Sequence, residues 1–431
     1  MDEKKKIVLK EIEKGYYPLR PVQKWLINTH FNKVKSTMMN IGLLIKIAPE
    51  FELERLKNVI NEILEAYDIF RCRLVFHPET AELCQRFDGE INYVTVEHRS
   101  DEEFELVKKS LLEPYALMNN PLYRLYIFET PSANYLYLDF YHAIMDGTAI
   151  AMLFVHEIDI RYHGKKPKRE PAKYADYIAE ELKIPDEELE AGNNYWRAVT
   201  KNFDKRKHLP PVDVKGEEKW QENIVDHHIK NVTEEYFSDK VHKENIFFMA
   251  ASMLAIAKTT GAKSSVLSWV HNGRMNSQER RLMGIMLEQY PVAYNFEVDM
   301  TVGEFLDKLE AKVNEGITYR KSLGVTYAEG LQDDCATFIF QKKFYAEKVT
   351  LRGKVNQNVE FEKNEWSAAE NSLDIEVNSE EGGTYYVELD YDASRYSEQS
   401  IKNLAESMDK IISQLQDEKL LISKILEWGK F

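Results

Sequence analysis

Cysteine is scarce in this chain. The 431 residues contain only three cysteines, Cys72, Cys84 and Cys335, and no two of them form a C-x-x-C pair. An odd number of scattered cysteines indicates neither a disulfide framework nor a zinc site, so we expect no metal. Such cysteine usage suits a reducing compartment, and we therefore expect the protein to be cytoplasmic.

Long hydrophobic runs and an excess of positive charge are also missing. The most apolar helical run, residues 246–257, is shorter than the roughly 20 residues that span a bilayer, and it predicts a buried helix that ends at Gly261. The N-terminus has no apolar segment of the kind found in signal peptides. The 57 Lys and Arg against 72 Asp and Glu give a net charge of −15. We therefore expect no transmembrane segment and no nucleic acid as a partner.

Length and residue pattern predict two α/β lobes. Single cores stop growing at about 250–300 residues, so a chain of 431 residues suggests two domains or two large lobes. An apolar strand at residues 41–47 is followed by a helical stripe at residues 53–67. A hairpin pattern at residues 373–391 is likewise followed by a helical stripe at residues 401–415. These alternating patterns favour a mixed α/β fold.

One stretch, residues 133–150, joins a strand to a candidate catalytic group. The strand has an apolar face that ends in His142, and the other residues of that face are Leu136, Leu138 and Phe140. A turn pair, Asp146-Gly147, follows. An imidazole at the inner end of a strand is sheltered and titrates near neutral pH, which suits a general base. The strand pattern alone also fits a core histidine whose ring is satisfied by a backbone carbonyl.

The residues from His142 to Gly147 have the form H-x-x-x-D-G. This pattern resembles HHxxxDG, the active-site motif of the superfamily that contains chloramphenicol acetyltransferase and the condensation domains. Further matches follow in the order of that superfamily. In the first half of the chain, Pro18-Leu19-Arg20-Pro21-Val22-Gln23 is similar to P-L-S-x-x-Q, and Arg71 and Arg124 fall at family arginines. Later, Tyr174-Ala-Asp176-Tyr177 is similar to Y-x-D-F/Y, Asn194-Tyr195-Trp196 is similar to x-Y-W, and the segment from Gly284 to Pro291 is similar to G-x-F-V-N-T-x-P.

The resemblance covers nearly the whole chain and implies an architecture. It implies two chloramphenicol acetyltransferase-like lobes arranged as a V-shaped pseudo-dimer with a central tunnel. The N-terminal lobe, residues 1–180, would carry the H-x-x-x-D-G motif, and residues 181–431 would form the C-terminal lobe. We expect a stand-alone member, because no adenylation or carrier region is recognisable in the sequence.

The resemblance also implies roles for individual residues. His142 would be the general base, while Asp146 would be structural and paired with an arginine, Arg274 as the first candidate and Arg71 as the second. Gly147 would leave room for the thioester arm. Three residues assigned to the substrate tunnel depart from the family pattern: Tyr141 replaces the first histidine and points away by parity, and Glu288 and Gln289 replace the asparagine and threonine.

The implied activity is acyl transfer from a thioester to an alcohol or an amine. We expect no tightly bound cofactor, with acyl-CoA or an acyl-phosphopantetheine as co-substrate and a small-molecule acyl acceptor. Two alternatives stay open. One is a stand-alone condensation enzyme of the nonribosomal-peptide type that takes its acyl group from a carrier protein in trans, and the other is a non-catalytic binding module with the same fold.

Overall fold

A computed structural model gives the fold and describes residues 3–167, 170–201, 208–215, 221–330, 335–342, 348–351, 354–359, 367, 369, 371–380 and 382–427. The helices are α1 (Glu3–Glu13), α2 (Pro21–Asn32), α3 (Leu53–Ala66), α4 (Asp101–Lys108), α5 (Val155–Tyr162), α6 (Tyr174–Glu181), α7 (Asp186–Thr200), α8 (Glu244–Thr260), α9 (Val302–Thr318), α10 (Gly324–Ala328), α11 (Glu398–Leu415) and α12 (Ile422–Ile425).

The strands are β1 (Tyr17–Pro18), β2 (Asn40–Ile47), β3 (Arg73–Phe76), β4 (Leu83–Arg86), β5 (Thr95–His98), β6 (Tyr123–Glu129), β7 (Asn134–Tyr141), β8 (Glu222–Ile229), β9 (Ser264–His271), β10 (Glu288–Asn295), β11 (Ala336–Gln341), β12 (Lys348–Leu351), β13 (Lys354–Val359), β14 (Leu373–Ser379) and β15 (Tyr385–Asp392). The mixed α/β class predicted from the sequence is therefore confirmed. In the described ranges no helix is long and apolar enough to cross a membrane.

The chain divides into two compact units. The first unit contains residues 1–186, 272–287 and 344–367, and the second contains residues 187–271, 288–343 and 368–431. The first break, between residues 186 and 187, lies near the predicted boundary between residues 180 and 181. The sequence does not predict that residues 272–287 and 344–367 belong to the first unit.

The first unit is built on a six-stranded sheet in the order β12-β13-β2-β7-β6-β5. β7 runs antiparallel to both β2 and β6 and is buried from Leu136 to its end. A strand flanked on both sides has its backbone N–H and C=O groups paired along its whole length, which makes it a rigid support. A small sheet of the order β1-β4-β3 completes the strands of this unit.

The second unit is built on a six-stranded sheet in the order β10-β9-β11-β14-β15-β8. Helix α8 is buried from Ile246 to Ala257 and packs against α11, α9 and this sheet. Gly261 ends α8 in the left-handed conformation with φ of 64°, which glycine adopts without steric cost. The predicted buried helix and its stop are both confirmed, as is the hairpin of β14 and β15.

Candidate active site

The candidate base lies at the end of the central strand of the first unit. β7 ends at Tyr141, and the backbone N–H of His142 still donates a hydrogen bond to the Met39 carbonyl at 2.8 Å. The backbone then turns, and the N–H of Ile144 donates a hydrogen bond to the Tyr141 carbonyl at 3.0 Å. Strand pairing therefore fixes the backbone of His142 immediately before the chain turns out of the sheet.

His142 is half-buried, and its ring lies partly in the interior. Nδ1 is buried and makes no hydrogen bond of good geometry within the described part of the chain. Burial lowers the pKa of His142, while backbone groups and the nearby charge of Asp146 act in the opposite direction. Because an unperturbed histidine titrates near 6.5, a lowered pKa makes this imidazole neutral at pH 7.

Asp146 begins the helical segment that follows the motif. Its Oδ1 accepts a hydrogen bond from the Ala149 N–H at 2.7 Å, and its backbone carbonyl accepts one from the Ile150 N–H at 3.0 Å. This is the geometry of an N-cap, in which a side-chain oxygen satisfies an otherwise free helical N–H. The residues that follow, Ala149–Phe154, form a π-helical turn that leads into α5.

The other carboxylate oxygen of Asp146 binds the segment of residues 272–287. Oδ2 accepts hydrogen bonds from Arg274 Nη1 at 2.9 Å and from the backbone N–H groups of Met286 and Leu287 at 2.6 and 3.1 Å. Asp146 and Arg274 are 3% and 6% exposed. The structure thus brings together Asp146 and Arg274, and the Asp146 carboxylate is directed at the backbone and the guanidinium.

Arg274 in turn holds the backbone around Gly284. Its Nη2 donates to the carbonyl groups of Leu282 and Gly284 at 3.3 and 2.8 Å. Gly284 has φ of +156°, and a Cβ atom at this position would lie 2.5 Å from the ring of Tyr174. The close approach of the Tyr174 ring explains why this position is a glycine.

The remaining predicted residues of the first unit lie elsewhere. Arg71 donates to the Gly89 carbonyl at 3.3 Å and, in the described part of the chain, makes no hydrogen bond to Asp146, so the second candidate partner is not used. The ring of Tyr141 is fully buried, 5.6 Å from the ring of Tyr115. Packing inside the unit accounts for this burial. Gly147 is half-buried and directly follows the N-cap.

Glu288 and Gln289 open β10 in the second unit. The Glu288 carboxylate accepts a hydrogen bond from the Tyr290 hydroxyl and lies 3.5 Å from Arg320 Nη1. The backbone N–H of Gln289 donates to the Tyr327 hydroxyl at 3.2 Å. Both side chains are buried. Their assignment to a substrate tunnel stays a prediction.

Two contributors to the site could not be identified from the residue pattern. The backbone N–H groups of Met286 and Leu287 bind Asp146, and no side-chain pattern could indicate them. Arg20, which stands where the motif P-L-S-x-x-Q has its serine, donates to the Ile285 carbonyl at 3.0 Å and pairs with Glu181. Within the described residues no group of three or more His, Cys, Asp or Glu side chains could hold a metal ion.

Comparisons with known proteins agree on one family. The family described as the condensation domain matches residues 13–421. Bacitracin synthase 3 of Bacillus licheniformis is 24% identical over 307 residues, which cover 69% of this chain but only 5% of the synthase. The chain therefore spans a small fraction of that relative's length.

Solved structures of similar fold include two condensation domains. The condensation domain of the Monacolin K polyketide synthase MokA has a TM-score of 0.79 at 16% identity, with 94% of this chain and 99% of that chain covered. A variant of the starter condensation domain of rhizomide synthetase RzmA, solved in complex with C8-CoA, has a TM-score of 0.75 at 14% identity, with 96% and 98% covered. At such identities these matches show the fold alone.

Proposed function

The chain belongs to the condensation-domain family, and on that premise we propose that it transfers an acyl group from a thioester to an amine or an alcohol. The family is of the nonribosomal-peptide type, whose members form amide or ester bonds by acyl transfer. The finer assignment rests on this chain's own motif. His142 would act as the general base, and Asp146, Gly147 and Arg274 would hold its loop.

One observation carries the proposal. The imidazole of His142 has a buried Nδ1, a lowered pKa and a backbone fixed by the strand end, while Asp146 is committed to four N–H donors on other residues. A core histidine would have its ring nitrogens satisfied by protein groups. A neutral, half-buried imidazole suits proton transfer, for which Nε2 would be the accepting atom.

The reaction is then a single displacement without a protein nucleophile. Nε2 of neutral His142 accepts the proton of the acceptor's amine or hydroxyl group as that group attacks the thioester carbonyl. The new C–N or C–O bond forms, the C–S bond breaks, and the thiolate leaves. The imidazolium returns its proton to the thiolate. General base assistance of this kind contributes about 10²–10⁴-fold, and positioning of the reactants contributes more.

The donor would be a thioester of phosphopantetheine, carried either by CoA or by a carrier protein. The RzmA domain solved with C8-CoA supports CoA as a donor, because it shows that this fold accommodates an acyl-CoA. A carrier-protein thioester is supported by the family, whose large synthases work on tethered substrates. We favour acyl-CoA with a small-molecule acceptor and keep the carrier protein in trans as the second candidate.

Thiol release tests the proposal. The purified chain is incubated with a panel of acyl-CoAs and of amine or alcohol acceptors, and free CoA is measured with a thiol reagent. The same acyl groups loaded on a carrier protein are tested in parallel. We expect release that depends on an acceptor and is lost in His142→Ala. If neither donor class gives acceptor-dependent release, the proposed activity is contradicted and a binding module is favoured.

A further inference from the structure

The carbonyl group of the residue after the candidate base is held by a buried side-chain amide. The Ala143 carbonyl accepts a hydrogen bond from Nε2 of Gln23 at 2.9 Å. Gln23 lies in the first turn of α2 and is 0% exposed. A residue 120 positions earlier in the chain therefore fixes the peptide group between Ala143 and Ile144, one residue beyond His142.

The Gln23 amide can occupy its site in only one orientation. Its Oε1 accepts a hydrogen bond from the Arg20 backbone N–H at 2.8 Å, a group that can only donate. The Ala143 carbonyl on the opposite side can only accept. Exchanging the amide oxygen and nitrogen would thus set donor against donor and acceptor against acceptor. The position requires a side chain with both a donor and an acceptor at this spacing.

A second amide, that of Gln85 in β4, completes the arrangement. The two side chains exchange reciprocal hydrogen bonds of 3.1 Å, and Nε2 of Gln85 also donates to the Pro18 carbonyl at 2.9 Å. Gln85 is likewise 0% exposed. Every donor of both amides is used, and a fully satisfied buried network is rigid and geometrically specific.

The same turn of α2 also reaches the segment that binds Asp146. Arg20, the N-cap residue of α2, donates through Nη1 to the Ile285 carbonyl at 3.0 Å. The next two backbone N–H groups after Ile285 bind Asp146. The start of α2 therefore holds the loop of residues 142–146 directly at Ala143 and, through the Ile285 segment, at Asp146.

We infer that Gln23 is a positioning residue for the candidate base, an inference that rests on the proposed function. Gln23 does not contact the reacting atoms. It holds the Ala143 peptide and so sets the direction in which the His142 ring leaves the strand. Displacement of a catalytic group by about 1 Å can cost about 10²-fold in rate, so loss of this hydrogen bond should lower turnover by about 10- to 100-fold.

Two variants remove the donor to Ala143 in different ways. Gln23→Met keeps the length of the side chain but abolishes all its hydrogen bonds. Gln23→Glu keeps the acceptor for the Arg20 N–H, loses the donor to both Ala143 and Gln85, and adds a buried carboxyl group. We expect both to lower kcat for thiol release per folded molecule with little change in KM, and to shift the titration of His142 measured by NMR of its ring.

The matched control is Asn61→Leu. Asn61 in α3 also holds a loop of the first unit, because its Oδ1 accepts a hydrogen bond from the Val94 N–H at 2.9 Å. We expect this variant to lose stability but to keep both turnover per folded molecule and the titration of His142. If the Gln23 variants lose stability but keep both the turnover per folded molecule and the titration of His142, the role of Gln23 is purely structural.

The NMR measurement separates this inference from the proposed function. If the wild-type chain shows no transfer activity, a shift of the His142 titration in the uncharged Gln23→Met variant and not in Asn61→Leu still supports positioning. If the titration and the turnover per folded molecule of both Gln23 variants equal those of the wild type, the inference is overturned even when the acyltransferase activity is present.

Discussion

Asp146→Asn tests the structural role of the motif aspartate. The carboxylate is buried and accepts four hydrogen bonds, three on Oδ2 and one on Oδ1. An asparagine must place its NH₂ group where one of these oxygens lies, so that N–H meets N–H on Arg274 or on Ala149. The buried guanidinium of Arg274 also loses its counter-charge.

The size of the effect follows from these losses. Removing one partner of a buried ion pair typically costs about 3–5 kcal/mol. In domains of 150–250 residues each kcal/mol lowers Tm by about 2–4 °C, so Asp146→Asn should lower Tm by about 6–20 °C. Thermal and denaturant unfolding at pH 7 measure this change, and turnover is expressed per folded molecule.

Asp139→Asn, in the strand that leads to the motif, is the matched control. Burial raises the pKa of Asp139 to about 6, although Arg124 lies 3.5 Å away. The pKa of this carboxylate is about 3.9 in the unfolded chain and about 6 in the folded one, so between these pH values the folded state binds more protons. As pH rises through that window, the carboxylate therefore lowers the free energy of unfolding by up to about 3 kcal/mol. Removing it should therefore cost less at pH 7 than removing Asp146. A stable Asp146→Asn protein with normal melting and a lost catalytic step would refute the structural role.

Two further predictions concern backbone space and pH. Gly284→Ala would bring a Cβ atom to 2.5 Å from the Tyr174 ring and should cost about 1–3 kcal/mol through overpacking; an unchanged denaturant midpoint would contradict the packing described. Because burial lowers the pKa of His142, acyl transfer should rise with pH and level off below about 6.5 as the imidazole loses its proton. A rate that rises only above about pH 6.5 would argue against a neutral His142 as the base.

Local patterns predict much of the scaffold. The alternation that ends at His142 indicates β7, and the apolar stripe before Gly261 indicates α8, because the periods of 2 and 3.6 residues follow directly from backbone geometry. The pairing of Asp146 with Arg274 could be expected from the family resemblance, combined with the rule that a buried charge needs a partner. Spacing in the sequence alone could not place two residues 128 positions apart in contact.

The contacts that depend on backbone groups could not be predicted. The N–H groups of Met286 and Leu287 that bind Asp146 carry no signal in the residue types. The return of residues 272–287 to the first unit is a property of the tertiary fold, and the alternating pattern of neighbouring strands does not contain it. Arg71 matches a family arginine and is therefore the second candidate, but its guanidinium donates to the Gly89 carbonyl.

Turnover of His142→Ala per folded molecule tests the central claim most directly. The variant is compared with the wild type by acceptor-dependent thiol release, after thermal melting has given the folded fraction of each. If His142 is the general base, transfer should fall by about 10²–10⁴-fold while the half-buried position tolerates the smaller side chain with little loss of Tm. Unchanged turnover per folded molecule together with a large loss of stability would identify a core histidine and contradict the acyltransferase mechanism.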